Sequence, residues 1–292
     1  KRKFKKIKEG PYKEKMIAID KKWGKIEYWK AIGEMVDPYT FGYFLNAVDL
    51  KYDSNKKIVQ QPEKRRIYNY TWYKTLKISV LVTLFCLILG YPISYLLATL
   101  PLKYSNLLMI FVLLPFWTSL LVRTVSWIII LMRKGVFNSI LVWAGIIADE
   151  NRMQLIYNET GTLIAMTQIL LPFMVLPLYS VMKTIPPSYM RAALNLGAHP
   201  MHAFYRIYMP QTVPGISAGG LLVFVLAIGY FITPELVGGA DGQLIGHFIA
   251  YHLKSTLNWG LCAALGTILL VVMLTLYWAY NKIVGIENIK LG

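Results

Sequence analysis

Apolar and polar positions are sharply segregated along this chain. Five long apolar runs stand out, Thr75 to Leu100, Leu107 to Leu131, Leu163 to Met182, Gly215 to Thr233 and Gly260 to Tyr280, each of 19 to 26 residues. A helix of that length crosses a hydrocarbon core of roughly 30 Å, and a backbone in lipid must satisfy its own hydrogen bonds, so each run predicts a spanning helix. Pro92, Pro115, Pro172 and Pro177 lie inside these runs and predict kinked helices around a path. Two further apolar stretches, Val136 to Ala148 and Gln243 to Leu257, are too short to cross and predict interfacial or re-entrant helices. The expected fold is all-α, a polytopic membrane helix bundle. Residues 1–74 form a polar region, 75–285 the membrane domain, 184–214 a loop within it and 286–292 a tail. Within the polar region, Lys51 to Arg66 reads as a charged surface loop.

Composition agrees with the pattern. The 292 residues are 56% hydrophobic, and mean hydropathy is +0.46. The formal charge of +16 does not point to nucleic acid, because 19 of the 31 Lys and Arg fall in residues 1–74 beside 9 of the 15 acids. No nucleic-acid module accompanies them. Cys86 and Cys262 both lie in apolar runs and read as membrane-buried thiols.

Between the third and fourth runs lies a polar-faced loop, Ser188 to Gly215. Pro186 and Pro187 stop the preceding run, and Ser188 to Leu196 has the composition of a short helix with Gly197 at the left-handed cap position. Pro200 suits the first turn of a second helix, Met201 to Tyr208, which Pro210 and Pro214 are expected to close. Met190, Ala193 and Leu194 form an apolar stripe at i, i+3 and i+4, and a loop this short has no core of its own to cover it.

The pattern Ala192-Ala193, Gly197, Ile207-x-Met209-Pro210 resembles the EAA loop of type I ABC importer permeases, with the same spacing throughout. The segments LGYPISYLLA (89–98), LLPFWTSLLVR (113–123), LLPFMVLPLYS (170–180) and ITPELVGG (232–239) are similar to the spermidine/putrescine-type subfamily. Arg191 stands where the family has Glu, Met209 replaces Leu, and Asn195 takes an often acidic position. The resemblance implies the MetI-like fold and a permease subunit coupled to a cytoplasmic ABC ATPase pair. It also implies a second permease subunit, a periplasmic or extracellular solute-binding protein and a lipid environment. ATP and magnesium would belong to the partner ATPase, with no cofactor in this chain. Coupling would fall to Met190, Arg191, Ala192, Ala193, Leu194, Gly197, Ile207 and Pro210. Glu34 to Phe41 resembles the extracytoplasmic region between the family's first and second spans, so the chain reads as a fragment with one helix upstream. Counting positive charges alone would place residues 1–74 inside, but that rule weakens for long translocated regions. The resemblance places them outside, with the loop and C-terminus inside the bacterial inner membrane.

Intramembrane ionisable residues are functional candidates because their burial is costly. Glu235, beside Tyr230, Phe231 and the flexible pair Gly238-Gly239, is either a gate for a cationic solute or a ligand of a backbone amide or neighbouring subunit. Arg123 would repel a polyamine and reads as a structural charge, bound to carbonyls at the Pro115 kink or to a partner subunit. Trp117 and Trp127 are candidates to line the path. His199 and His202, with Pro200 between them, have no third metal ligand in sight, and His247 and His252 read as ordinary interfacial residues. No phosphate-cradling loop and no catalytic set of Ser, His, Asp or Cys occurs at a recognisable spacing. An ATP-independent transporter or channel is the alternative, and it predicts coupling-ion carboxylates within the spans and perhaps inverted repeats; neither is evident in the sequence.

Overall fold

The computed structural model describes residues 12–26, 28–29, 40–53 and 56–284. The stretch expected to link two spans, Glu34 to Phe41, lies mostly outside these residues, as does the tail 286–292. The chain divides into two compact units, Lys1–Asn69 and Tyr70–Gly292.

In the first unit, helices α1 (Tyr12–Ile19) and α2 (Gly42–Asn46) precede a hairpin of β1 (Leu50–Tyr52) and β2 (Ile58–Gln60), paired antiparallel with Lys51 opposite Val59. The charged insertion expected as loop is therefore partly a two-stranded ribbon. Asp49 ends this unit firmly, because its carboxylate accepts from the backbone N–H groups of Ile67, Tyr68 and Asn69 at 3.1, 3.1 and 2.7 Å. Those donors open the long helix α3 (Tyr68–Thr99), where a helix has no internal acceptors and favours an anion.

In the second unit α3 is followed by α4 (Leu102–Leu113), a 3₁₀ turn Leu114–Trp117, α5 (Leu120–Leu131) and α6 (Val136–Trp143). Next come α7 (Glu159–Thr184), α8 (Pro187–Asn195), α9 (Pro200–Ala203), a π turn Phe204–Tyr208, α10 (Met209–Gln211) and α11 (Val213–Ile228). The chain ends in α12 (Ile232–Val237), α13 (Ile245–Lys254) and α14 (Trp259–Val284). Among the described residues, four helical stretches are long and apolar enough to cross a membrane: α3, α5 with α6, α7 and α14. Pro200–Gln211 and Val213–Ile228, bent by 60°, count as a fifth when taken as one broken span.

Further expectations change. Val136 to Ala148, expected to be too short to cross, supplies the second half of the spanning stretch Leu120–Trp143. The run Leu107 to Leu131 is not one helix, because the Pro115 carbonyl accepts both the backbone N–H (3.2 Å) and the hydroxyl (2.8 Å) of Thr118, which closes the turn. Thr118 and Ser119 are then extended before α5 begins. Nor does Pro210 stop the second loop helix. The Met209 N–H reaches back five residues to the Phe204 carbonyl, and this wider turn leaves room for the proline ring that follows.

The core lies between α3, α7 and α11. Met166, Leu170, Met174, Leu178 and Met182, spaced by four along α7, pack with Ile78, Val82 and Cys86 of α3 and with Val223 and Ala227 of α11. Gly215 and Gly219 on α11 let its backbone approach α7, and a Cβ on Gly219 would lie 2.9 Å from Met174 Sδ and 3.1 Å from its carbonyl. Small residues four apart on a spanning helix favour this close packing. The most apolar stretch of α7 is 61% buried, against 17% for that of α14, so α7 is the spine and α14 presents its flank outward.

Candidate coupling loop and solute path

The loop between α7 and α11 is built as a rigid bracket. At the end of α8, Gly197 takes φ +84°, its N–H bonds the Leu194 carbonyl at 3.0 Å, and the Ala198 N–H bonds that of Ala193 at 3.1 Å. This paired closure needs a left-handed residue, and Gly197 supplies it. His199 Nδ1 then accepts from the Met201 N–H at 3.4 Å and caps α9.

The loop is fastened to α3 by aromatic rings. Phe204 meets Tyr95 edge-on at 5.4 Å and Tyr91 at 6.2 Å, stacks on Tyr208 at 5.6 Å, and Tyr208 meets Tyr95 at 5.3 Å. At the 60° corner, buried Thr212 donates its hydroxyl to the Met209 carbonyl at 2.7 Å, which leaves its oxygen to accept from Tyr91 at 3.2 Å. No local pattern in the sequence signals this clasp, because its rings come from segments more than a hundred positions apart.

The expected apolar stripe divides. Met190 packs against the core cluster and Ala193 is buried, both turned toward their own bundle, while Leu194 is exposed. Besides Leu194, the apolar surface left open on α8 and its C-cap is Tyr189, Ala192 and Leu196, at i, i+3 and i+7, with Leu196 at 89% exposure. Met201 and Tyr205 continue the apolar exposure on the second arm. Arg191 and Pro210 are exposed, and Ile207 is half-buried.

Glu235, Phe231 and Tyr230 each meet α13, at the end of α11 remote from this loop. Glu235 Oε2 is paired with His247 Nδ1, and Lys254 Nζ stands 5.8 Å from the centre of the Phe231 ring. His247 is thus the partner of the predicted gate residue, not an ordinary interfacial side chain. A signal was present, since His247, Tyr251 and Lys254 recur at i, i+4 and i+7 on one face of α13. His252 faces away, buried, with Nδ1 2.9 Å from Thr256 Oγ1. Burial pushes its imidazole pKa down. Gly238 is not a free hinge, because a Cβ there would lie 2.4 Å from Thr162 Oγ1.

Arg123 does not bind the Pro115 carbonyl, which Thr118 occupies. Its Nε is buried without a partner among the described residues. Beside it, Thr124 and Thr233 join α5 to α12 through a 3.2 Å hydroxyl contact. Trp117 is 90% exposed, while Trp127 packs near Leu131 and Val237 and donates to Gln168 Oε1 at 3.0 Å. Gln168 is the one polar residue lining an otherwise apolar cleft of about 380 Å³ between α3, α4 and α7.

Residues 88–284 match the family described as the binding-protein-dependent transport system inner membrane component. The chain belongs to this family. It is 38% identical over 214 residues to the spermidine/putrescine transport system permease protein PotB of Escherichia coli K12, spanning 72% of this chain and 77% of that protein. PotB of Haemophilus influenzae is 35% identical over 222 residues, 75% of this chain and 77% of the relative. The inner membrane ABC transporter permease protein YdcU of E. coli K12 is 31% identical, spanning 73% and 70%. Among solved structures, a bacterial ABC transporter that imports the acidic polysaccharide alginate superposes with a TM-score of 0.66 at 19% identity, covering 99% of this chain and all of that one. The alginate transporter in complex with its pentasaccharide-bound periplasmic protein gives 0.67, with complete coverage of both chains. The chain is a multi-pass inner-membrane transport subunit.

Proposed function

We propose that this chain is a non-catalytic permease subunit of an ATP-driven importer of polyamines such as spermidine or putrescine. Its loop is the contact through which a cytoplasmic ABC ATPase pair drives it. The observation that carries this reading is the bare apolar face Tyr189, Ala192, Leu196 on a helix braced from behind by the aromatic clasp to α3. Such a bracket transmits force rather than absorbing it, because Met190 and Ala193 are already packed and cannot yield. Burial of Leu196 and Tyr189 would contribute roughly 1.5–3 kcal/mol each on docking. Arg191 is exposed beside this face and would take an acidic or carbonyl partner on the ATPase. ATP and magnesium stay with that partner, the second permease completes the path, and a periplasmic or extracellular solute-binding protein delivers the cargo. The loop and C-terminus lie inside and residues 1–74 outside.

Polyamine as the cargo class rests on the two PotB relatives, and Glu235 and Phe231, one turn apart at the start of α12, supply the chemistry that suits it: a carboxylate and an aromatic face both favour an alkylammonium. The test is co-purification of the ATPase with wild type, Leu196→Asp and Ala192→Glu from native membranes. Loss of ATPase from correctly inserted variants is expected, and full retention would overturn the coupling role. Ala193→Glu is a poor probe, since that side chain points inward.

A further inference from the structure

The groups suited to an amine are not empty in this state. Helix α13 lies close along residues 230 and 231 at Gly246, where a Cβ would sit 3.3 Å from both the Tyr230 carbonyl and Phe231 Cβ. That approach brings one face of α13 onto the candidate gate. His247 takes the Glu235 carboxylate, Lys254 takes the Phe231 ring, and Tyr251 between them stacks on the His247 imidazole with centroids 6.1 Å apart. Both anchors that would recognise a cationic guest are therefore held by nitrogen groups of a single helix. The carboxylate is still 36% exposed, so a solute can reach it.

We propose that α13 is a built-in counter-ligand: His247 and Lys254 occupy the amine site formed by Glu235 and Phe231, and an arriving polyamine must displace them to open this end of the path. The proposal rests on the polyamine reading above. Its physical logic is exchange. An ammonium leaving water would replace an imidazole on the same carboxylate, so the carboxylate is not left unpaired during the swap. Without cargo, the return of α13 restores the pair and closes the site. The remaining charged and titratable groups on the elements packed there are Arg123 on α5, Asp241 in the turn before α13, Glu159 paired with Lys77, Lys74 on the Asp241 carbonyl, and His252 on the opposite face. Only His247 is in contact with the Glu235 carboxylate among the ion pairs of the described residues.

The experiment is equilibrium binding of radiolabelled spermidine to the complete permease–ATPase complex in nanodiscs, without the solute-binding protein. His247→Gln should bind several-fold more tightly than wild type. Lys254→Met should also tighten binding, and Glu235→Gln should lose it. A His247→Gln complex of normal assembly with wild-type affinity overturns the counter-ligand. ATP-driven spermidine uptake by the wild-type complex with its binding protein separates the two ideas. Uptake with no effect of His247→Gln on binding removes the counter-ligand alone, whereas neither uptake nor binding by wild type removes the polyamine reading and the counter-ligand with it.

Discussion

Single positions carry costs that can be assigned to causes. Gly197 has φ +84° and open space around its missing Cβ, so an alanine there would meet no atom and suffer only the left-handed backbone penalty. Gly197→Ala should destabilise by about 1–2 kcal/mol, and Gly197→Asn by less, read as thermal unfolding in detergent. Arg123 is the opposite case, a guanidinium with a buried unpaired Nε. In the isolated chain Arg123→Met should raise stability by about 1–3 kcal/mol, since it removes an unsatisfied polar atom and keeps the stem. A fall instead would mean that the arginine has an effective partner within this chain. Gly197 could be placed from sequence because its reason is local. Nothing local reveals that Met190 and Ala193 turn inward, because an apolar stripe identifies a buried face without naming what buries it.

At the scale of elements, the loop depends on rings contributed by distant segments. Tyr95 and Phe204 are 109 positions apart in sequence yet meet edge-on at 5.4 Å. A double-mutant cycle of Tyr95→Leu and Phe204→Leu should show a coupling of about 0.5–1.5 kcal/mol in unfolding. The same variants should still bind the ATPase while ATP-driven uptake falls, because the bare face survives and its brace does not. The α7–α11 seam is less forgiving. Gly219→Leu would drive a side chain into the Met174 backbone and should abolish monodisperse, folded protein, which size-exclusion chromatography would show. Element boundaries were the least legible feature. Pro115 and Pro210 look alike in sequence, but the first ends a helix through Thr118 and the second is accommodated by a π turn.

For the whole molecule, stability should depend on pH through His252. Burial lowers its folded pKa below the ordinary value of 6.5, so between the two values the unfolded chain binds more protons. Stability is then complete above about pH 6.5 and falls as the solution is acidified below it. His252→Gln should flatten that acid slope in detergent melts, and an unchanged slope would place its origin elsewhere.

The membrane character of this chain, its long apolar runs and the spacing of its loop motif follow from sequence alone. Lipid offers the backbone no hydrogen-bond partners, so each crossing must be a long apolar helix, and a pattern set by one segment's own needs is visible in that segment. Tertiary structure alone decided which face of the loop remains bare, which rings hold it, and that Glu235 is answered by His247. The ring contacts join α3 to a loop more than a hundred positions away, and the Glu235–His247 pair joins two separate helices, so no periodicity within either segment encodes its partner.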